Sequence, residues 1–442
     1  MAIMMMARGM MAKSRNFLFI SAKIKIIYIC TMYIFNPEHD LCIANGDIHF
    51  VPPESALAFG RECADITKFM YGLDSLADLD CSSGAIRKIV PWGWNSVLCN
   101  RLRKQGVPEE LFPDAEKLAA ITELSHRRVA HRALEYLSNS CRKSSTPQAD
   151  HCPDGAAALV DHDYRIEAQS IQEVEEFLAS HNNIVLKAPL SGSGKGIRFV
   201  SEALSHSDAG WCSNLIAKHG YVCVEKRYRP LLEFAMLFRC LGHEDGQGGD
   251  VAESAAGSVA GSVAGSAAAG AGVEFVGYSL FYTQNGAYRG NVLASNEFIE
   301  REICRFVPQE LLEEVKGKLM EFLKENVCGR YEGYVGVDQF VCGEFYGLDE
   351  TGPEDRGVDG RRLWFQPVVE INLRLTMGLI ARNIYDRFSQ EYNLVDGQKC
   401  FEICRDKKEG KMVYSYRIAD IGMCEEQFGI HANVPYSACR RG

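Results

Sequence analysis

Apolar residues along this chain fall into two kinds of stretch. Short runs stop at Pro, Gly or charged clusters, and longer stretches repeat an apolar residue every third or fourth position. The first kind fits buried strands and the second amphipathic helices. Met32–Phe35 reads as a buried first strand that stops at Asn36-Pro37, with Asn36–Asn45 as the loop behind it. Ser55–Tyr71 reads as a helix after the Pro52-Pro53 break. Ile86–Val90 reads as a strand ended by Pro91-Trp92-Gly93-Trp94-Asn95, and Ser96–Gln105 as a helix ended by Gly106. This alternation predicts a small parallel α/β domain. Ala115–Asn139 keeps helical spacing throughout and predicts one long helix.

Further along, Tyr164–Glu167 reads as a short strand, and Ser170 with Glu173 three residues on marks a capping box for a helix over Ile171–Ser180. Asn183–Lys187 and Ile197–Val200 predict a hairpin around the glycine-rich stretch Ala188–Gly196. Tyr221–Lys226 and Glu233–Cys240 read as strands. Gly242–Gly272 then dissolves into Gly, Ala and Ser, which cannot bury enough surface to order itself, so a disordered insertion is expected. Phe275–Thr283 resumes as a strand, so the pair across the insertion is expected to be a hairpin. Gln309–Asn326 reads as an amphipathic helix, Gly333–Cys342 and Leu363–Ile371 as strands, and Leu375–Tyr392 as a terminal helix. The tail beyond holds two strands at most. The expected class is α/β (α+β).

Composition narrows the function. The 442 residues allow several cores, and 47% hydrophobic with 24% charged residues is the balance of a globular protein. A net charge of -10 argues against a nucleic-acid partner, because no basic footprint offsets phosphate repulsion. The 17 cysteines form no CxxC pair and are expected to be free thiols in a reducing compartment. Met1–Thr31 is methionine-rich and basic. Its apolar runs are interrupted by Lys23 and Lys25, too short and too charged for a membrane span. It reads as an extension, with folding starting near Met32 and a cytoplasmic protein as the default.

Two segments carry chemistry. Lys187 ends an apolar strand, and Ser191, Gly192, Ser193, Gly194, Lys195 and Gly196 follow. Glycines let several N–H groups point at one anion, and lysines add point charges for phosphate. The segment is not a P-loop, since Pro189 stands where GxxxxGK[ST] needs glycine and Gly196 where it needs Ser or Thr. The other segment pairs Gly333-Tyr-Val-Gly-Val-Asp-Gln-Phe-Val341 with Val368-Val-Glu-Ile-Asn-Leu-Arg374. Asp338 interrupts one apolar strand. Glu370 and Asn372 sit two apart at the end of another, on one face, with Arg374 continuing the period. Three oxygen donors on adjoining strands suit Mg²⁺, and Arg374 suits a phosphoryl group or carboxylate. Tyr221–Lys226 leads into Glu225 and Lys226, with Glu233 beyond, and could hold a base or simply emerge into solvent.

In this order, Lys187 with its Ser/Gly loop, Glu225 after an apolar strand, Asp338 in GVDQFV and E-I-N-L-R ending at Arg374, the sequence resembles the ATP-grasp superfamily over roughly Leu124 to Asn383. The resemblance implies a pre-ATP-grasp domain at 32–123 and a central subdomain at 124–226. It further implies a C-terminal subdomain at 227–400 that carries the insertion 242–272, and a tail at 401–442. It implies ATP and Mg²⁺ as cofactors. Lys187 and the Ser191–Gly196 loop would meet the phosphates, and Glu225, Lys226, Arg227 and Tyr228, with Glu233, would line the base and ribose. Asp338, Glu370 and Asn372 would hold the metal, Arg374 would act on the transferring phosphoryl group, and Arg128 and Arg132 on an earlier helix would assist. The activity implied is a ligase that activates a carboxylate as an acyl phosphate and couples it to an amine or other nucleophile. A small-molecule phosphotransferase, or a non-catalytic nucleotide- or peptide-binding protein, would use the same pocket.

Substrate contacts are expected beyond the ends of the first strands, where ligands sit in open α/β sheets. Glu38, His39 and Asp40 fall there, as do Trp92, Trp94 and Asn95. Tyr288, Arg289 and Asn291 are expected just after a strand and facing the cleft.

Overall fold

The structure, a computed structural model, describes residues 31–70, 86–141, 157–159, 164–191, 196–228, 230–242, 272–284, 287–343, 363–408 and 411–421. The expected extension at 1–31 lies outside them except for Thr31. The expected insertion does too, except for its ends, Gly242 and Gly272, and so do Gly192–Lys195.

Strand β1 (Thr31–Ile34) and strand β2 (Lys88–Pro91) pair in parallel, Thr31 opposite Lys88 and Ile34 opposite Pro91. In a parallel pair both carboxyl ends lie on one edge, so the loops behind them meet. Asn36 Nδ2 donates to Gly93 O at 2.9 Å, and Trp92 N to Ile34 O at 2.7 Å. Gly93 is required here, because a Cβ would lie 2.5 Å from the His39 ring. The segment expected as loop through Asn45 turns into a helix at His39–Asn45, closed by Gly46 in the left-handed region at φ 83°.

Strands β4 (Arg165–Ala168), β5 (Asn183–Lys187), β6 (Ile197–Ser201) and β7 (Val222–Lys226) form an antiparallel sheet in the order β4-β7-β5-β6. Helices Ile171–His181 and His206–His219 cover it; the second of these the apolar pattern did not announce. Ser170 Oγ accepts from Glu173 N, and the Glu173 carboxylate accepts from Gln169 N, so the capping box forms with a one-residue offset. Gly196 closes the hairpin base, its carbonyl accepting from Ala188 N at 2.8 Å; a Cβ there would meet Ser191 at 2.3 Å.

The third sheet contains β3 (Ala157–Leu159), β8 (Pro230–Cys240), β9 (Val273–Gln284), β10 (Ala287–Leu293), β11 (Gly333–Gly343), β12 (Leu363–Asn372), β13 (Lys399–Lys408) and β14 (Lys411–Asp420). Their order is β14-β13-β10-β9-β8-β11-β12-β3. Its middle is buried on both faces, which is why β8 reads as an almost continuous apolar run rather than an alternation. Phe234, Met236 and Phe238 pack under helices Arg127–Cys141 and Gln309–Asn326. Ala235 and Leu237 face the other way, into a core shared with helix Met377–Tyr392 and with Phe35, Phe69 and Trp92 of the N-terminal unit. The first unit is therefore docked on one face of the large sheet, and Leu375 N donates to Trp92 O at 2.8 Å across that contact.

Three expectations change. The long helix of Ala115–Asn139 breaks into Ala115–Leu124 and Arg127–Cys141, because Ser125 Oγ bonds back to Ile121 O and Arg127 N is spent on Pro189 O at 3.0 Å. The boundaries at 124 and 400 do not separate packed units. Helix Arg127–Cys141 and β3 belong to the core of the large sheet, and β13 runs through residue 400 to pair with β10 and β14. Tyr288, Arg289 and Asn291 lie within β10 rather than after a strand. The hairpin expected across the insertion is present, with Cys240 opposite Val273 and Leu241 N bonded to Gly272 O.

Candidate active site

Antiparallel register decides which side chains share the cleft. Gly336 pairs with Asn372, Asp338 with Glu370 and Phe340 with Gln366, and on the other side Asp338 pairs with Ala235. Ala235 belongs to the core shared with the N-terminal unit, so Asp338, Glu370 and Asn372 all look toward that unit. Burial, and then the Glu370 charge, push the Asp338 carboxyl up to about 7, against Arg374 and the Asn372 hydrogen bond. Asn372 Nδ2 donates to Asp338 Oδ2 at 3.0 Å, and Arg374 Nη2 donates to Asn372 Oδ1 at 3.0 Å.

The small sheet brings the opposite charge. Val185 and Arg165 both stand opposite Glu225 in β7, and Lys187 stands two pairs further on, opposite Cys223. Lys187 Nζ lies 2.5 Å from Glu225 Oε2, and Arg165 Nε 3.4 Å from Oε1. Burial alone would raise the Glu225 carboxyl, but Lys187 and Arg165 outweigh it and hold it below its ordinary value. Burial lowers Lys187, with the Arg127 and Arg165 guanidiniums adding to it against Glu225.

Arg127 joins the two sheets. It is 5% exposed, and its Nε donates to Ala188 O at 3.0 Å and Nη2 to Ser191 Oγ at 3.1 Å. The same Nη2 lies 3.3 Å from Glu370 Oε1. One side chain therefore touches both the arm of the glycine hairpin and the acidic strand, and Arg165 Nη2 in turn donates to Arg127 O at 3.1 Å.

Arg128 and Arg132, expected to assist, are not part of this group. Arg128 pairs with Glu167 at 3.3 Å and lies over the Tyr221 ring. With Arg132, His126 and His131 it opens onto a separate groove of about 960 Å³ that neither Lys187 nor Glu370 lines. Arg127 was missed, although a signal for it existed. It falls in phase with Ala130, Leu134, Leu137 and Cys141 on the buried face, whereas Arg128 and Arg132 are out of phase. Arg165, buried in the first position of a short strand, was missed without such a signal.

The remaining expected residues divide. Tyr228 lies against Phe340 and Tyr164, with Lys226 over its ring, whereas Arg227 covers Phe199 of β6. Glu233 shares the cleft face but bonds Thr283 Oγ1 at 2.8 Å and Thr283 N at 3.2 Å. Among the described residues, Gln366, wholly buried beside Phe340, finds no hydrogen-bond partner for either amide atom. Such atoms are costly unless a ligand or water meets them. Asp40 holds Arg374, Glu38 pairs with Arg101 at 3.2 Å, and Asn95 Nδ2 lies 3.1 Å from His39 Nδ1. Arg289 and Asn291 are separated from β12 by β9, β8 and β11; Asn291 is buried there, donating to Ser279 Oγ at 2.6 Å.

A small parallel unit is thus followed by two α+β sheets that meet at Arg127. No family model matches the sequence, and no curated protein matches it. Solved structures do match at a distance. N5-carboxyaminoimidazole synthetase from Staphylococcus aureus complexed with ADP is 12% identical at a TM-score of 0.38, over 90% of this chain and 86% of that one. The biotin carboxylase domain of the Hydrogenobacter thermophilus 2-oxoglutarate carboxylase, in complex with MgADP, ADP and bicarbonate, is 14% identical at 0.36, over 86% and 71%. D-alanyl-alanine synthetase A from Vibrio cholerae is 11% identical at 0.29, over 57% and 56%.

A metal fits this site on its own chemistry. Two half-buried acids face each other in register, and burial and then the Glu370 charge raise the pKa of Asp338; a cation between them would offset both effects. Among the described residues no cluster of three or more His, Cys, Asp or Glu is arranged for a metal, so the amide oxygen of Asn372, which already accepts from Arg374, would have to offer its second lone pair to complete the set. That thin set suits Mg²⁺, which takes few protein oxygens when substrate phosphates supply the rest.

Proposed function

We propose that the chain is an ATP- and Mg²⁺-dependent ligase of the ATP-grasp type, which activates a small-molecule carboxylate and couples it to an amine or other nucleophile. The observation that carries this reading is Arg127, whose guanidinium meets Ser191 of the glycine hairpin and Glu370 of the acidic strand at once. A phosphate-binding arm and a cation-binding arm thus wall one cleft.

Bound ATP supplies the phosphoryl group that turns a carboxylate's poor oxide leaving group into a good one. The chain's own residues bind and orient. Lys187 and the loop from Ser191 to Gly196, with Lys195, would hold phosphate oxygens, and Arg127 would neutralise charge between the two walls. Glu225 through Tyr228, with Phe340, would line the base. Asp338, Glu370 and Asn372 would hold Mg²⁺. Arg374 would steady the charge that develops on the transferring group. A cytoplasmic setting goes with this reading, and the free thiols among the described cysteines suit a reducing compartment. Among the described residues no helix is long and apolar enough to cross a membrane.

The test is ADP release with Mg²⁺ across amino acids, small peptides and polyamines. Release that needs both a carboxylate and an amine is expected. Release with an alcohol alone would move the reading to a phosphotransferase, and no release with any pair would leave only nucleotide binding.

A further inference from the structure

Arginine offers five N–H donors in a rigid fork. In Arg374 nearly all of them are taken. Nε donates to Asp40 Oδ1 at 3.0 Å and to Oδ2 at 3.1 Å, and Nη2 lies 2.9 Å from Oδ2. Nη2 also donates to Asn372 Oδ1, and Nη1 to Leu375 O at 3.2 Å. The Asn372 amide is thereby oriented, oxygen toward Arg374 and nitrogen toward Asp338. A hydrogen-bonded chain therefore runs Asp40, Arg374, Asn372, Asp338.

Asp40 is the only member of that chain that comes from the N-terminal unit. It stands in the first turn of helix His39–Asn45, on a loop fixed from below by Asn36 on Gly93 and by His39 on Asn95. The same unit takes the next backbone amide, since Leu375 N donates to Trp92 O. The end of β12 is thus gripped twice, at the Arg374 side chain and at the Leu375 backbone. An ordinary surface ion pair would contribute little. This pair is sequestered, with side chains 14% and 21% exposed, and its carboxylate takes the Nε–Nη2 edge of the fork.

We propose that Asp40 is a positioning residue: it fixes Arg374 and, through it, the amide of Asn372 beside Asp338, so that the acidic strands take their cation-binding shape only with the N-terminal unit docked. This rests on the functional reading above and deepens it, because it ties the unit on the expected acceptor side to the metal end of the nucleotide site.

The test is ADP binding to the full chain by calorimetry at stepped Mg²⁺ concentrations, with circular dichroism as the check on folding. The unaltered protein is expected to bind ADP more tightly as Mg²⁺ rises. Asp40→Asn is expected to raise the Mg²⁺ concentration at half effect about tenfold, which is about 1.4 kcal/mol, and to leave metal-free ADP affinity unchanged. Arg374→Gln should raise the Mg²⁺ midpoint at least as far, and the double variant should raise it no further than Arg374→Gln alone, because both act through one chain of contacts. Asp40→Glu, which keeps the charge, should recover part of the loss; it carries the test if Asp40→Asn does not fold. A folded Asp40→Asn or Asp40→Glu protein whose Mg²⁺ midpoint stays within about twofold of the unaltered one, or effects that multiply in the double variant, would overturn the proposal. Failure of the unaltered protein to bind ADP at all would overturn the functional reading, and this one with it.

Discussion

The four-stranded and the eight-stranded sheets face each other across one cleft, and they handle buried charge in opposite ways. On the small sheet the acid is outnumbered. Glu225 lies between Lys187 and Arg165, and its carboxyl is held low although burial would raise it. On the large sheet the acids face each other, and the Asp338 carboxyl is pushed up to about 7 by burial and by Glu370. Arg127, at the start of a helix packed on the large sheet, spans the difference, its guanidinium meeting both Ser191 and Glu370. The lesson is that one wall carries an excess of positive charge and the other is short of it. A bound cation is therefore expected on the strands β11 and β12, and an anion on the hairpin.

The strongest way to break that comparison is to neutralise the acidic wall. Glu370→Gln keeps the size and hydrogen-bonding reach of the side chain but removes the charge that faces Asp338. Metal-dependent ADP release should fall by roughly a hundredfold or more. The fold should survive, because Arg127 keeps its bonds to Ala188 O and Ser191. ADP release at the unaltered rate, measured at saturating Mg²⁺, would remove the metal end of the site from the argument.

A smaller effect separates Arg127 from its neighbour. Arg127→Gln leaves Glu370 without its cation and unties the hairpin, and breaking a buried pair of this kind costs about 3–5 kcal/mol, with turnover falling about tenfold. Arg128→Gln removes a side chain that is about half exposed and paired with Glu167. It should change stability by less than about 1 kcal/mol and leave turnover unchanged. Urea unfolding and ADP release on both variants decide it. Equal effects would mean that the two arginines are not divided between the cleft and the outer groove.

Much of this was legible in the sequence, and the reasons differ from residue to residue. Asn183–Lys187 and Gln309–Asn326 run over the residues their apolar patterns predict, because each period is unbroken and bounded. Asp338 and Glu370 announced themselves as acids inside apolar strands, and antiparallel register then sets them opposite each other. Arg127 was legible as a position on the buried face of its helix, but its partners Ala188 and Ser191 lie sixty-odd residues away in the chain, where no local pattern reaches. The same holds for Asp40, expected near substrate from its place after the first strand and found on Arg374, just beyond the end of β12. Contacts between units are long-range facts; only the faces that make them are written locally. The fate of residues 401–420 illustrates this. Their strand character was weakly visible, but pairing with β10 requires the whole sheet.

His39 gives the subtlest test, because it reports how the N-terminal unit closes one end of the cleft. The ring is 1% exposed, and Gly93 leaves no room beside it. Burial, with the nearby Arg374 charge adding to it against Asp40, lowers its pKa from 6.5 to about 4. Asn95 Oδ1 accepts from Leu98 N, which turns Nδ2 toward His39 Nδ1 and leaves that ring nitrogen as an acceptor in the neutral tautomer. Between pH 6.5 and 4 the unfolded chain takes up a proton at this position and the folded chain does not. Stability is therefore whole above about pH 6.5 and is lost as pH falls toward 4. Measured as the difference from His39→Gln, which has no proton to gain, the unaltered protein should lose about 2.5 kcal/mol between pH 7.5 and 4.5. Taking the difference cancels the other carboxylates that titrate in the same window. Urea unfolding of both proteins at the two pH values gives the number. A difference that stays constant with pH would mean that the ring is solvated and the N-terminal loops stand open. The wall of acids on β11 and β12 would then face water rather than a closed cleft.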